Sequence, residues 1–246
     1  MPLLYSDSSD GHISKLDNAG GGFSGARDAD EGDSIDTTSA DLTTFTGVYQ
    51  FGSRGGVPPY RIHRSFAFFD TSGITGTVTA AQFEIVGAGN ASTDVDGSII
   101  AVKSNAFGGD GNTVLKTIDF DAIQGWTDGA SQVDSAELIN YSVPFESTSG
   151  TWSNNSVNVL TGTSDLRNAM QDQNVVIVCF LDYTNDYLNV DPNTTTARNL
   201  GARYNEASSA GQRIRINYTE VTEVTGGKIT LLGGKTTLLE GKVTLG

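Results

Sequence analysis

The segment Arg61-Ile62-His63-Arg64-Ser65-Phe66-Ala67-Phe68-Phe69-Asp70 limits the possible folds more than any other part of the chain. Successive side chains of a strand point to opposite faces. As a strand, the segment puts Ile62, Arg64, Phe66 and Phe68 on one face and His63, Ser65, Ala67 and Phe69 on the other. Both faces are largely apolar, so the strand needs a packed layer on each side. Residues 174–181 form a second continuous apolar, β-branched run and read as a central buried strand. Residues 78–86 alternate, with Phe83 and Ile85 directed inward. Residues 212–219 set Ile214, Ile216 and Tyr218 against Arg213, Arg215 and Asn217. Shorter strands are expected over 11–16, 41–51, 97–103, 113–120, 138–143, 156–160 and 200–204. The glycine-rich stretch 18–25 reads as loop. One short helix fits 165–171, with Thr163 or Ser164 as N-cap and Leu166, Ala169 and Met170 on one face.

Composition supports the same class. Thirty glycines, five prolines and 18% charged residues suit many short strands joined by polar turns. The expected fold is an all-β, jelly-roll-like antiparallel β-sandwich with one short helix and a repetitive β tail. The expected division is a polar, glycine-rich, acidic segment at 1–40 that partly joins the sandwich, the sandwich itself at 41–221, and the tail at 222–246.

The tail repeats every seven residues: GGKITLL, GGKTTLL, EGKVTLG. Its glycines and β-branched residues oppose a coiled coil, so each unit reads as a short strand after a glycine turn. A strand this short cannot bury an apolar face alone. Ile229, Leu231, Leu238, Val243 and Leu245 are therefore the expected assembly contacts of the tail.

Few residues offer chemistry. The two histidines, His12 and His63, and the single Cys179 lie outside any zinc-binding spacing, and Cys179 sits in an apolar run as a structural thiol. The acidic stretches 28–33 and 94–97 resemble fragments of a calcium loop but lack its glycine and closing glutamate. No nucleophile elbow or phosphate-binding loop occurs. The expectation is a protein that is not an enzyme, with no catalytic residue, metal or cofactor. A formal net charge of −14 disfavours nucleic acid and anionic membranes as partners. No apolar run approaches the roughly 20 residues of a membrane span. The N-terminal ten residues lack a basic region followed by an apolar core, so no signal peptide is expected. Trp152, Tyr183 and Tyr187 are the aromatic candidates for carbohydrate or partner contact, the two tyrosines in a polar loop leaving the 174–181 strand.

A set of ordered segments carries a family resemblance: Asp10-Gly11-His12-Ile13, Ala26-Arg27 with Gly32-Asp33, and Tyr60 through Ile74 with its Arg-Ser-Phe-x-x-Phe-Asp-Thr-Ser core. Residues 78–83, Asp182-Tyr183-Thr184-Asn185-Asp186-Tyr187, Gly201-Ala202-Arg203-Tyr204 and 213–218 follow. Over roughly residues 8–220 this resembles the DNRLRE-like jelly-roll domains, related to carbohydrate-binding modules, that recur in bacteriophage virion and bacterial surface proteins. The resemblance implies a virion structural protein, made in the host cytoplasm and located on the particle. The leading expectation is a capsid decoration (cement) protein, a homotrimer that bridges subunits of the major capsid protein or another virion protein. The alternative is a tail- or head-fibre module that binds a receptor or a surface glycan.

Overall fold

In the computed structural model, residues 2–17, 20–37, 44–51, 59–87, 98–126, 138–145, 152–153, 155–192, 198–204, 213–223 and 244–245 are described. The double-sided strand of the sequence is β5 (Tyr60–Asp70), and both of its faces are covered. The other strands are β1 (Leu3–Tyr5), β2 (Gly11–Asp17), β3 (Ser34–Asp36), β4 (Thr44–Gln50), β6 (Thr77–Val86) and β7 (Ile99–Lys103). After them come β8 (Val157–Thr161), β9 (Val175–Asp182), β10 (Arg198–Tyr204), β11 (Arg215–Glu223) and β12 (Thr244–Leu245). Among the described residues, two α-helices, α1 (Gly22–Arg27) and α2 (Ser164–Asp172), interrupt them. The chain is an all-β sandwich of antiparallel sheets.

One sheet runs β1-β11-β6-β8, with β12 added to β11. The other runs β10-β4-β5-β2-β3 and is extended by β9 and β7. Ser65 pairs with His12 of β2 on one edge of β5 and with Phe180 of β9 on the other. β4 and β9 therefore follow one another along a single edge of β5, with β4 beside Tyr60–His63 and β9 beside Ser65–Asp70.

Two cores result. Between the sheets lie Ala67 and Phe69 of β5, Phe83 and Ile85 of β6, Val176, Val178 and Phe180 of β9, and Ile214 and Ile216. α2 adds Leu166, Ala169 and Met170, its first turn capped by the Leu166 amide donating to the Thr163 hydroxyl. On the far side of the larger sheet, Ile62 and Phe66 of β5 meet Ile177, Cys179 and Leu181 of β9. A third layer of α1 and irregular loops covers them with Phe23, Ala26, Phe107 and Phe120. The continuous apolar run of β9 is explained by these two cores, since it feeds both.

Several expectations need correction. Residues 113–120 hold a 3₁₀ turn (Thr117–Asp121) and no strand, because the Lys116 amide donates to the Asp119 carboxylate at 2.9 Å and bends the backbone locally. Residues 138–143 make only isolated bridges, at Asn140 and Ser142. Within 18–25, Gly22 onward is helical. Phe23 and Ala26 are buried, and Gly25 packs so closely on Asp17 that a Cβ there would lie 2.5 Å from its carboxylate oxygen. The N-terminal segment joins the sandwich through β1, β2, α1 and β3, and β2 pairs with β5 over seven residues. β11 runs on to Glu223, past the expected start of the tail.

The solvent face of the smaller sheet carries one polar network. Arg215 Nε donates to Glu84 Oε2 at 2.7 Å, and Asn217 Nδ2 donates to Glu84 Oε1 at 2.6 Å. Burial by itself raises the Glu84 pKa, but hydrogen bonds from Asn217, Arg215 and Gln82 outweigh it and hold the carboxyl below its ordinary value. The native pKa is the lower one, so the network stabilises above the unfolded-state pKa, and its contribution is lost as pH falls through the native value. Glu84→Gln should cost about 1 kcal/mol at pH 7. Urea titrations of both proteins should show that difference closing as pH drops below the usual glutamate range.

Candidate functional site

The largest concentration of buried charge lies in the second core. The register of β5 places Arg64 between Ile62 and Phe66 on the apolar face away from the smaller sheet, and Arg64 is fully buried. Its guanidinium grips Asp186 with two bonds, Nε to Oδ2 and Nη2 to Oδ1, each 2.9 Å. Nη1 donates to the Phe120 carbonyl at 3.0 Å, and Nη2 also donates to the Arg27 carbonyl at 2.7 Å. The Phe120 and Trp126 rings stack on the guanidinium, with centroids 4.2 and 4.1 Å from its carbon.

Arg27, the last residue of α1, is also fully buried. Its Nε donates to the Asp186 carbonyl at 2.7 Å and its Nη1 to Asp28 Oδ1 at 2.6 Å, while its guanidinium lies 4.7 Å from the Trp126 ring centroid. Burial lowers the Arg27 pKa. The nearby Asp186 charge opposes that change and the Arg64 charge adds to it. Asp186 reaches the cluster because β9 ends at Asp182, whose carboxylate accepts the Asn185 amide at 2.6 Å. A single π turn (Tyr183–Tyr187) then folds back onto the sheet. The Asn185 side-chain amide closes the loop by donating to the Val190 carbonyl at 2.7 Å.

Arg64 and Asp186 are enclosed by their partners, and no solvent-facing atom is left to meet a substrate. The cluster instead ties β5, α1, the 117–121 turn and the 183–187 turn together. In the sequence, Arg64 stands on the apolar face of its strand, while Arg27 and Asp186 stand out only as parts of a resemblance. A basic residue inside an otherwise apolar strand face was the signal that Arg64 needed a buried partner.

The aromatic candidates do not form an exposed platform. Trp152 is 6% exposed and packs edge-on to Phe145 at 5.6 Å and tilted against Tyr204 at 6.5 Å. Tyr187 is 7% exposed, and its hydroxyl exchanges hydrogen bonds with the Asn140 side chain. Tyr183 is half-buried and stacks on Tyr187 at 5.5 Å. The Arg64–Asp186 pair draws this loop onto the sheet and takes Tyr187 inside with it. Of the tail candidates, Ile229, Leu231, Leu238 and Val243 lie outside the described residues, and Leu245 belongs to β12.

The remaining chemistry-bearing groups serve the fold. Burial pushes the Cys179 thiol well above its ordinary pKa, so it stays protonated. His12 and His63 sit on neighbouring strands with ring centroids 5.4 Å apart. In the acidic stretch 28–33, Asp28 takes Arg27, Glu31 takes the Thr117 hydroxyl, and Asp33 takes Lys15 and the Leu16 amide. Residues 94–97 lie outside the described residues. Among the described residues, no group of three or more His, Cys, Asp or Glu is placed to hold a metal ion, and no helix is long and apolar enough to cross a membrane. Comparison with known proteins finds no matching family model and no curated protein of significant similarity.

Removing one member of a buried ion pair strands the other, at about 3–5 kcal/mol. Asp186→Ala should show a loss of that size in chemical denaturation. Arg64→Lys, which keeps the charge but loses the two-pronged grip and the stacking, should also be clearly destabilised. A loss below about 1 kcal/mol for Asp186→Ala would mean the cluster does not hold the layer.

Proposed function

We propose that this chain is a non-catalytic structural protein of a bacteriophage virion, a decoration protein that bridges subunits of the capsid shell. The observation that carries the reading is the pairing of β12 with β11. Leu245 lies opposite Thr222 and Thr244 opposite Glu223, directly beyond Val221, where β6 stops pairing. Two residues of the last repeat unit, Thr244 and Leu245, therefore act as an added strand at the end of a sheet.

The physics of that pairing points outward. Fixing a residue's backbone costs about 1–2 kcal/mol, and a two-residue ladder returns little against it. A strand held this weakly gains from a longer sheet edge on a neighbouring subunit. The net charge of −14 supports docking on a basic surface over contact with nucleic acid. The three-layer body supplies a rigid block, and the tail supplies the clamp. A trimer, in which equivalent tails meet equivalent edges around an axis, satisfies every clamp at once.

The full chain should co-sediment with expanded capsids that lack it. A chain truncated after Glu223 should keep the sandwich's melting temperature yet bind at least about tenfold more weakly, a loss of about 1.4 kcal/mol. Failure of the full chain to co-sediment would overturn the proposal. Equal binding by the truncated chain would remove the tail from it.

A further inference from the structure

β8 is the last strand on its side of the smaller sheet. In an antiparallel ladder, alternate residues turn their backbone groups toward the partner strand. The Ser156 carbonyl accepts the Gly87 amide at 3.0 Å on the β6 side, so Asn158 and Leu160 also face β6. Val157, Val159 and Thr161 therefore turn their N–H and C=O groups away from the sheet. The Thr161 carbonyl shows this directly, since it accepts the Val143 amide at 2.8 Å from outside. Pro144 follows, with no N–H to donate, and Phe145 crosses to pair with Ile99 of β7 in the larger sheet. Past Val143, no described residue bonds to the outward backbone groups of Val157 and Val159.

The side chains at this edge are apolar as well. Val143, Val157 and Val159 are 51%, 43% and 40% exposed. Val157 and Val159 alternate with buried Asn158 and Leu160, which puts both valines on the outer face of the sheet. β8 carries no charge and no proline, the usual devices that blunt an edge. Unpaired backbone groups beside exposed β-branched side chains make a template for one more strand.

The chain itself supplies the matching strand. Thr244 and Leu245 of the last repeat unit already pair within this sheet, on β11. Two earlier units, Lys228-Ile229-Thr230-Leu231 and Lys235-Thr236-Thr237-Leu238, share the same pattern. In an extended unit, Ile229 and Leu231 share one face, which suits pairing beside Val157 and Val159. Charge agrees. Residues 226–246 carry three lysines and one glutamate, +2, against −16 for the remainder of a chain whose total is −14.

Distance makes the donor a second copy. β11 leaves the sheet beside Thr77, at one end of β6, and β12 returns to that same end. Val157 lies opposite Val86, nine residues from Thr77, or about 31 Å along the sheet. A round trip of about 62 Å would take nearly the whole reach, about 66–72 Å, of the 20 residues between Glu223 and Thr244. A neighbouring copy meets no such limit.

We propose that the outer edge of β8 receives a Lys-Xaa-Thr-Leu strand from the tail of a second copy of this chain. The backbone groups of Val157 and Val159 bond to it, and their side chains meet its Ile229–Leu231 face or the equivalent face of another unit. The inference rests on the reading of the tail as a clamp and names the edge that the clamp grips. Its test contains no capsid, so failure to bind capsids and failure here are separate results.

The test is sedimentation velocity of the full chain over a range of concentrations. The parent should self-associate. Val159→Pro removes one outward N–H and leaves every bond to β6 in place, as edge strands tolerate. It should still melt cooperatively and raise the dissociation constant at least tenfold. Val157→Lys/Val159→Lys, on exposed side chains, should do the same and serves as the second reading if the proline variant is unstable. Leu231→Lys/Leu238→Lys, in the tail, should weaken association as much. A parent that stays monomeric up to about 100 μM would overturn the proposal. So would association unchanged in the edge variants. Association lost in the edge variants but intact in the tail variant would also overturn it, because β8 would then be pairing with β8 of the other copy.

Discussion

The guanidinium of Arg64 is the interaction on which the rest of the structure depends. It sits on the apolar outer face of β5, where an unpaired charge would be prohibitively costly, and it is made tolerable by Asp186, two backbone carbonyls and two aromatic rings. Those partners come from distant parts of the chain, so satisfying one side chain brings α1, the 117–121 turn and the 183–187 turn onto the same sheet. The ion pair also specifies register. Sliding β5 by one residue would carry Arg64 into the core between the sheets, where Ala67 and Phe69 belong.

The fold was largely legible because its strands obey a local rule. The alternation of 78–86 placed Phe83 and Ile85 inside, and both are fully buried. The alternation of 212–219 places Ile214 and Ile216 in the core and the arginines on the opposite face, and Ile214 and Ile216 are buried while Arg213 and Arg215 are half-buried. The helix over 165–171 was readable from its cap and apolar face, and α2 extends that reading by a residue at each end. α1 was not readable. Its glycines argue against helix, and burial of Phe23 and Ala26 outweighs them, a tertiary effect with no local trace. Residues 113–120 carried strand-like residues, but one carboxylate, Asp119, turned the backbone aside.

The buried cluster was the least legible part. Arg64 and Asp186 are 122 residues apart, and no periodicity connects them. The aromatic loop was singled out as a binding surface because it is polar and leaves a buried strand. Its acidic residue instead serves as an internal anchor, and Tyr187 lies beneath the surface as a consequence.

These features give a body whose buried polar groups tie its layers together and whose proposed work is done at its periphery, by the tail. Rigidity of the third layer is the central claim, and native-state hydrogen exchange tests it most directly. The amides of Asp28, Ala122 and Asn185 each sit in a different segment held by the cluster, bonded to Ser24, Asp119 and Asp182. If Arg64 locks these segments into one unit, the three amides share a single opening free energy, and that energy falls for all of them together in Arg64→Lys. Three separate opening energies, with only one responding to the substitution, would contradict it.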